Sequence, residues 1–146
     1  MDDAAFAPDT PEVEIFRKDG TPVAIEGERG KMGEIMLTNE RILLTHESFG
    51  PSGTLVGGIV ELAAEGVANR GAKGPREIVR LSQLRAGGTQ RRRMIPDLYM
   101  LTLADGSTVR LHRVLRKKWD PTIRRLISER HGLTVTDDGD GWRAEP

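Results

Sequence analysis

The stretch from residue 33 to 44, Gly-Glu-Ile-Met-Leu-Thr-Asn-Glu-Arg-Ile-Leu-Leu, constrains the fold more than any other part of the chain. Two short apolar runs flank the polar group Thr38-Asn39-Glu40-Arg41. They read as strands over 34–38 and 41–46 joined by a tight turn. Ile35 and Leu37 share one face of the first strand, and Ile42 and Leu44 share one face of the second. A hairpin with one apolar face needs a second sheet or a helix to cover it.

The rest of the chain supplies similar pieces. At 146 residues it suits one domain with a core of its own. Aromatic residues make up only 4%, so Val, Ile and Leu must fill that core. Val13 to Lys18, Asp19-Gly20 and Thr21 to Ile25 predict a hairpin with Asp-Gly at its turn, and Pro22 restricts its strand to an edge or a late start. A polar loop with Arg29 and Lys31 follows at 27–33. Residues 54–69 carry Leu55, Ile59, Leu62 and Val56, Val60, Ala63, Val67 at helical spacing, which predicts a glycine-loosened helix inserted between strands. Strand signals resume at 77–81 and from 85 to about 91. Residues 98–103 and 108–111 flank Asp105-Gly106 and form the clearest hairpin. Asp120 and Pro121 suit the N-cap and first position of a helix over 121–131, with Trp119, Ile123, Leu126 and Ile127 as its apolar stripe and Gly132 as its stop. Residues 133–136 are suited to a short strand. The expected organisation is a flexible acidic N-terminus at 1–11, one domain at 12–136 with an insert at 50–75, and an acidic tail at 137–146.

The Leu37-Thr38-Asn39-Glu40-Arg41 motif, preceded by Gly33, resembles the signature of GRAM domains and bacterial PH-like domains. Residues 77–84, Glu-Ile-Val-Arg-Leu-Ser-Gln-Leu, are similar to the strand and turn of that family, as is an Asp-Gly hairpin before a Trp-containing helix. The resemblance spans 33–132. It implies a mainly β, α+β fold: a PH-like barrel of about seven antiparallel strands, a C-terminal capping helix and an inserted helix. It implies a non-enzymatic binding or scaffold domain rather than a reaction. The competing architecture is an α+β sandwich with both helices on one sheet. In family members that bind lipid, the headgroup lies among the first–second, third–fourth and sixth–seventh strand loops, which here hold Arg29, Lys31, Lys73 and Asp105.

Charge patterning adds a partner class. The net charge is zero, but residues 1–28 sum to −6, residues 70–118 to +10 and residues 136–146 to −3. Arg91, Arg92, Arg93 and Arg113, Arg116, Lys117, Lys118 are the densest basic clusters. Such a segregated pattern either pairs internally or attracts an anionic partner. Lipid headgroups require only positive charge; a nucleic acid generally adds stacking aromatics, and this region has only Tyr99 and Trp119. The expected partners are therefore anionic headgroups or a protein, with nucleic acid bound by the basic middle as the alternative.

Catalytic and metal chemistry find little support. The chain has no cysteine, so thiolate chemistry and disulfides are excluded. His46, His112 and His131 have no ligand-type neighbour at helical spacing. Residues 138–141, Asp-Gly-Asp-Gly, with Glu145 lack the third carboxylate and the spacing of a calcium loop. Residues 66–73 approach a P-loop, but Ala72 separates Gly71 from Lys73 and no Ser or Thr follows. The expectation is no enzyme, no cofactor and no metal. The acidic start lacks the features of a secretory leader, and no apolar run reaches the roughly 20 residues of a spanning helix. A cytoplasmic protein with peripheral membrane association fits these readings.

Overall fold

The computed structural model describes residues 3–47 and 75–146. The expected insert helix, and Lys73 with it, lie outside the described residues. Among the described residues, nine antiparallel strands form one sheet: β1 (Glu14–Ile25), β2 (Lys31–Thr38), β3 (Arg41–Glu47), β4 (Arg76–Arg80), β5 (Leu84–Gln90), β6 (Leu98–Leu103), β7 (Thr108–His112), β8 (Thr134–Asp138) and β9 (Gly141–Glu145). Their order is β4-β3-β2-β1-β7-β6-β5-β9-β8. The sheet runs from β4 to β8 and does not close into the expected barrel, and it has nine strands rather than about seven. The difference comes from residues 134–145, which follow the helix and add β9 and β8 beyond β5.

The two hairpins legible in the sequence are present. Leu37 lies opposite Ile42 across the 38–41 turn, and Leu101 lies opposite Val109 across the Asp105-Gly106 turn. Ile35, Leu37, Ile42, Leu101, Val109 and Leu111 all face the core. Gly33 opens the first hairpin because a Cβ there would overlap the carbonyl oxygen of His46.

The expected 13–25 hairpin is instead one long strand. Gly20 does take a positive φ of 60°, but the register with β2 merely shifts between Lys18 and Thr21. Both halves of β1 pair with β2, and Val23 to Ile25 also pair with β7. Asp19-Gly20 therefore makes a bulge that bends the strand. Because β1 pairs on both sides, it joins the β2–β4 half of the sheet to the β5–β7 half.

A helix, α1 (Arg116–Arg125), extends through a π turn at Leu126–Arg130. It crosses from the end of β7 to the β2–β3 turn and presents the predicted stripe to the core: Trp119, Ile123, Leu126 and Ile127 are buried. It starts earlier than expected, after a 3-10 turn at Arg113–Leu115. The His112 ring accepts a hydrogen bond from the Val114 N–H there. Asp120 is therefore not the N-cap. It is buried in mid-helix, where one carboxylate oxygen accepts from Tyr99 Oη at 2.7 Å and Trp142 Nε1 at 2.8 Å. Burial, then the nearby carboxylate, pushes the Tyr99 phenol well above its ordinary value of 10.0, so it stays a donor. Pro121 lies inside the helix and removes one helical donor there. Gly132, with φ of 71°, ends the helix as Leu133 N–H bonds back to the Ile127 carbonyl, the glycine stop expected from the sequence.

The described part of the N-terminal arm, from residue 3, and the C-terminal strand are both docked, where flexible segments are expected. Phe6 is buried. The side chain of the fully buried Asn39 holds the N-terminal arm, donating to the carbonyls of Ala5 and Pro11 and accepting from Val13 N–H. Arg130 donates to the carbonyls of Ala7 and Thr10 and pairs with Glu40. At the other terminus Trp142 and Ala144 are buried on β9. A Cβ at Gly87 would fall 2.5 Å from the Trp142 ring, so β5 uses glycine where the indole lies on its backbone. The acidic composition of these segments hid single apolar anchors strong enough to order them.

Candidate basic site at the helix-capped end

The sheet has two ends, and its register sorts the candidate residues between them. Gln90 lies opposite Leu98, and Leu98 opposite His112. The loop at 91–97 and the junction at 113–118 therefore leave the sheet side by side, at the end that α1 crosses. Both sequence clusters, Arg91 to Arg93 and Arg113 to Lys118, sit at this end.

They also touch a common group. Arg91 Nη2 lies 3.4 Å from Asp140 Oδ2, and Arg116 Nη1 lies 4.0 Å from the same oxygen. Arg116 further donates to Thr89 Oγ1 and to the Asp140 carbonyl. The β8–β9 turn thus ties the two clusters into one surface. Arg116 is a half-buried strut in it. Arg92 folds back on its own loop, donating to the Pro96 carbonyl at 2.8 and 2.6 Å, while Asp97 accepts from its N–H. Lys118 stands 4.8 Å above the Phe16 ring. Arg93, Arg113 and Lys117 are exposed and, among the described residues, have no side-chain partner. The acids Asp97 and Asp140 sit at this end against several cations.

Arg29 and Lys31 lie at the opposite end. Glu26 N–H donates to the Thr108 carbonyl, which places the β1–β2 loop beside the Asp105-Gly106 turn. Here the charges are largely spoken for. Lys31 lies 3.4 Å from Glu47 and 3.8 Å from Glu28. Arg76 pairs with Glu28, and its hydrogen bonds hold the Glu28 carboxyl below the usual carboxylate range. Asp105 adds a further carboxylate, kept low by hydrogen bonds from Ser107. Arg29 is exposed and, among the described residues, unpaired, but alone. The structure therefore separates Arg29 and Lys31 from the two main clusters, and Lys73 falls outside the described residues.

Three residues of the basic end are not marked by the sequence pattern. Met94 is 95% exposed, Ile95 52% and Val114 60%. The signal that could have found them is the Met-Ile-Pro that directly follows the arginine run. Among the described residues, no group of three His, Asp or Glu side chains could hold a metal ion, and no helix is long and apolar enough to cross a membrane. No family model, curated protein or solved structure significantly matches the chain.

Proposed function

We propose that the chain is a non-enzymatic, PH-like binding module that works in the cytoplasm and uses its helix-capped end to hold anionic headgroups at a membrane surface. The observation that carries this reading is the convergence of Arg91 and Arg116 on Asp140, which makes one basic surface from two separate sequence clusters. The PH-like part of the reading is supported by two meanders, β1–β4 and β5–β7, joined through β1 and β7 and covered at one end by a helix.

Each basic side chain close to an anionic bilayer contributes about 1 kcal/mol, screened by salt. Neutralising the three unpaired cations together (Arg93→Gln, Arg113→Gln, Lys117→Gln) should weaken co-sedimentation with phosphatidylserine vesicles by about a hundredfold at low ionic strength. Stability should be unchanged, because these side chains have no polar partner to lose. Changing Arg29→Gln and Lys31→Gln should matter little. Equal binding by wild type and the triple variant would refute this assignment. Binding to RNA with none to vesicles would favour a nucleic-acid role, and binding to neither would leave a protein partner as the reading to pursue.

A further inference from the structure

We infer that the basic end is also an insertion surface: Met94, Ile95 and Val114 enter the acyl boundary of an anionic bilayer while the surrounding cations hold its headgroups. This rests on the membrane reading above and adds a second mode of attachment to it.

Large exposed apolar side chains are rare among the described residues of this protein. They are Val13, Met94, Ile95 and Val114, and three of these four leave the sheet at its basic end. Scattered apolar residues need no explanation; a concentration of them does. Met94 and Ile95 follow Arg93 directly, and Val114 follows Arg113. The Met94–Ile95 pair and Val114 are thus each preceded by an unpaired cation, the combination an interfacial anchor uses.

The backbone also favours presentation over burial. Met94 adopts a φ of 67°, a left-handed conformation that a bulky side chain seldom takes. Nothing buried rewards it, since Met94 is the most exposed of these residues. The loop is nevertheless tied down on both sides. Arg92 bonds the Pro96 carbonyl, and Asp97 accepts from the Arg92 N–H. A short loop braced across its base, with its apolar tip turned outward, is preordered for insertion and loses little freedom on binding. Methionine's unbranched chain adapts to an irregular surface. The cations fix the occupant: an apolar tip that directly follows Arg91 to Arg93, at the same end of the sheet as Arg113 to Lys118, complements an anionic bilayer and repels a basic partner.

The test compares wild type with a Met94→Ser, Ile95→Ser double variant on phosphatidylserine vesicles at low and high salt. A Met94→Trp variant serves as an emission reporter. Headgroup attraction fades with salt, whereas apolar insertion does not. Wild type should keep a salt-resistant bound fraction, and the double variant should lose about tenfold or more in affinity at high salt. Emission from the indole introduced by Met94→Trp should shift to the blue and be quenched by lipids brominated near the headgroup. Salt-sensitive binding that is equal in wild type and double variant, with the reporter's emission unmoved, overturns insertion and leaves the headgroup reading intact. Absence of vesicle binding at low salt overturns both.

Discussion

Trp142→Ala should lower the unfolding free energy by about 3–5 kcal/mol, the range for emptying a buried aromatic site. The indole is 1% exposed. It lies on the bare backbone of Gly87 and donates to Asp120. Truncation opens a cavity between β5, β9 and α1 and removes one of the two donors that Asp120 carries. Trp142→Phe keeps an aromatic ring on Gly87 while losing part of the indole's volume and the hydrogen bond, the latter worth about 1.5–3 kcal/mol with a charged acceptor, so it should cost less than Trp142→Ala. Chemical denaturation followed by far-ultraviolet dichroism measures both. An unchanged midpoint for Trp142→Ala would mean that β9 is an appendage rather than part of the core.

Leu126→Ala should cost about 2–5 kcal/mol. Leu126 is fully buried at the point where the α-helix passes into the π turn. His131 N–H reaches back to the Leu126 carbonyl over five residues. The wider turn aims the last residues of the helix at the β2–β3 hairpin, where the His131 ring bonds the Asn39 carbonyl at 2.9 Å and Arg130 reaches Glu40 at 2.5 Å. Leu126 therefore fills the space between helix and sheet that these polar contacts frame. A thermal unfolding curve like that of wild type would show the helix to be only loosely seated. Leu126 lies away from the basic end, so vesicle binding measured below the melting transition should persist in Leu126→Ala, whereas Trp142 anchors the hairpin whose turn carries Asp140.

The parts of the fold legible in the sequence are those fixed by local pattern. Strict alternation around two short turns marks the 34–46 and 98–111 hairpins, and the helical stripe from Trp119 to Ile127 is as buried as its spacing predicts. What escapes a sequence reading depends on distant partners. Asp120-Pro121 is a strong helix start by local chemistry, yet Asp120 serves Tyr99 and Trp142, 21 and 22 residues away. Asp19-Gly20 suits a hairpin turn, yet β2 runs past it and pairs with β1 on either side of it. The Asn39 of the family-like motif fastens an N-terminal arm whose composition resembles disorder. The site shows the same division. The arginine run is visible as charge density, but the register is needed to bring Arg91 and Arg116 together and to move Arg29 and Lys31 to the far end. Met94 and Ile95 could have been suspected from the Met-Ile-Pro after the arginines, but the exposure of Val114, in the turn before the helix, is visible only in the fold.

Amide hydrogen exchange on phosphatidylserine vesicles, compared with the free protein, tests the central claim most directly, because it locates the contacted surface without any substitution. If the helix-capped end is the binding surface, protection should rise at 91–96 and 113–118 while the loops at 26–30 and 104–107 exchange as they do in solution. Protection confined to 26–30 and 104–107, with the arginine loop unaffected, would contradict it.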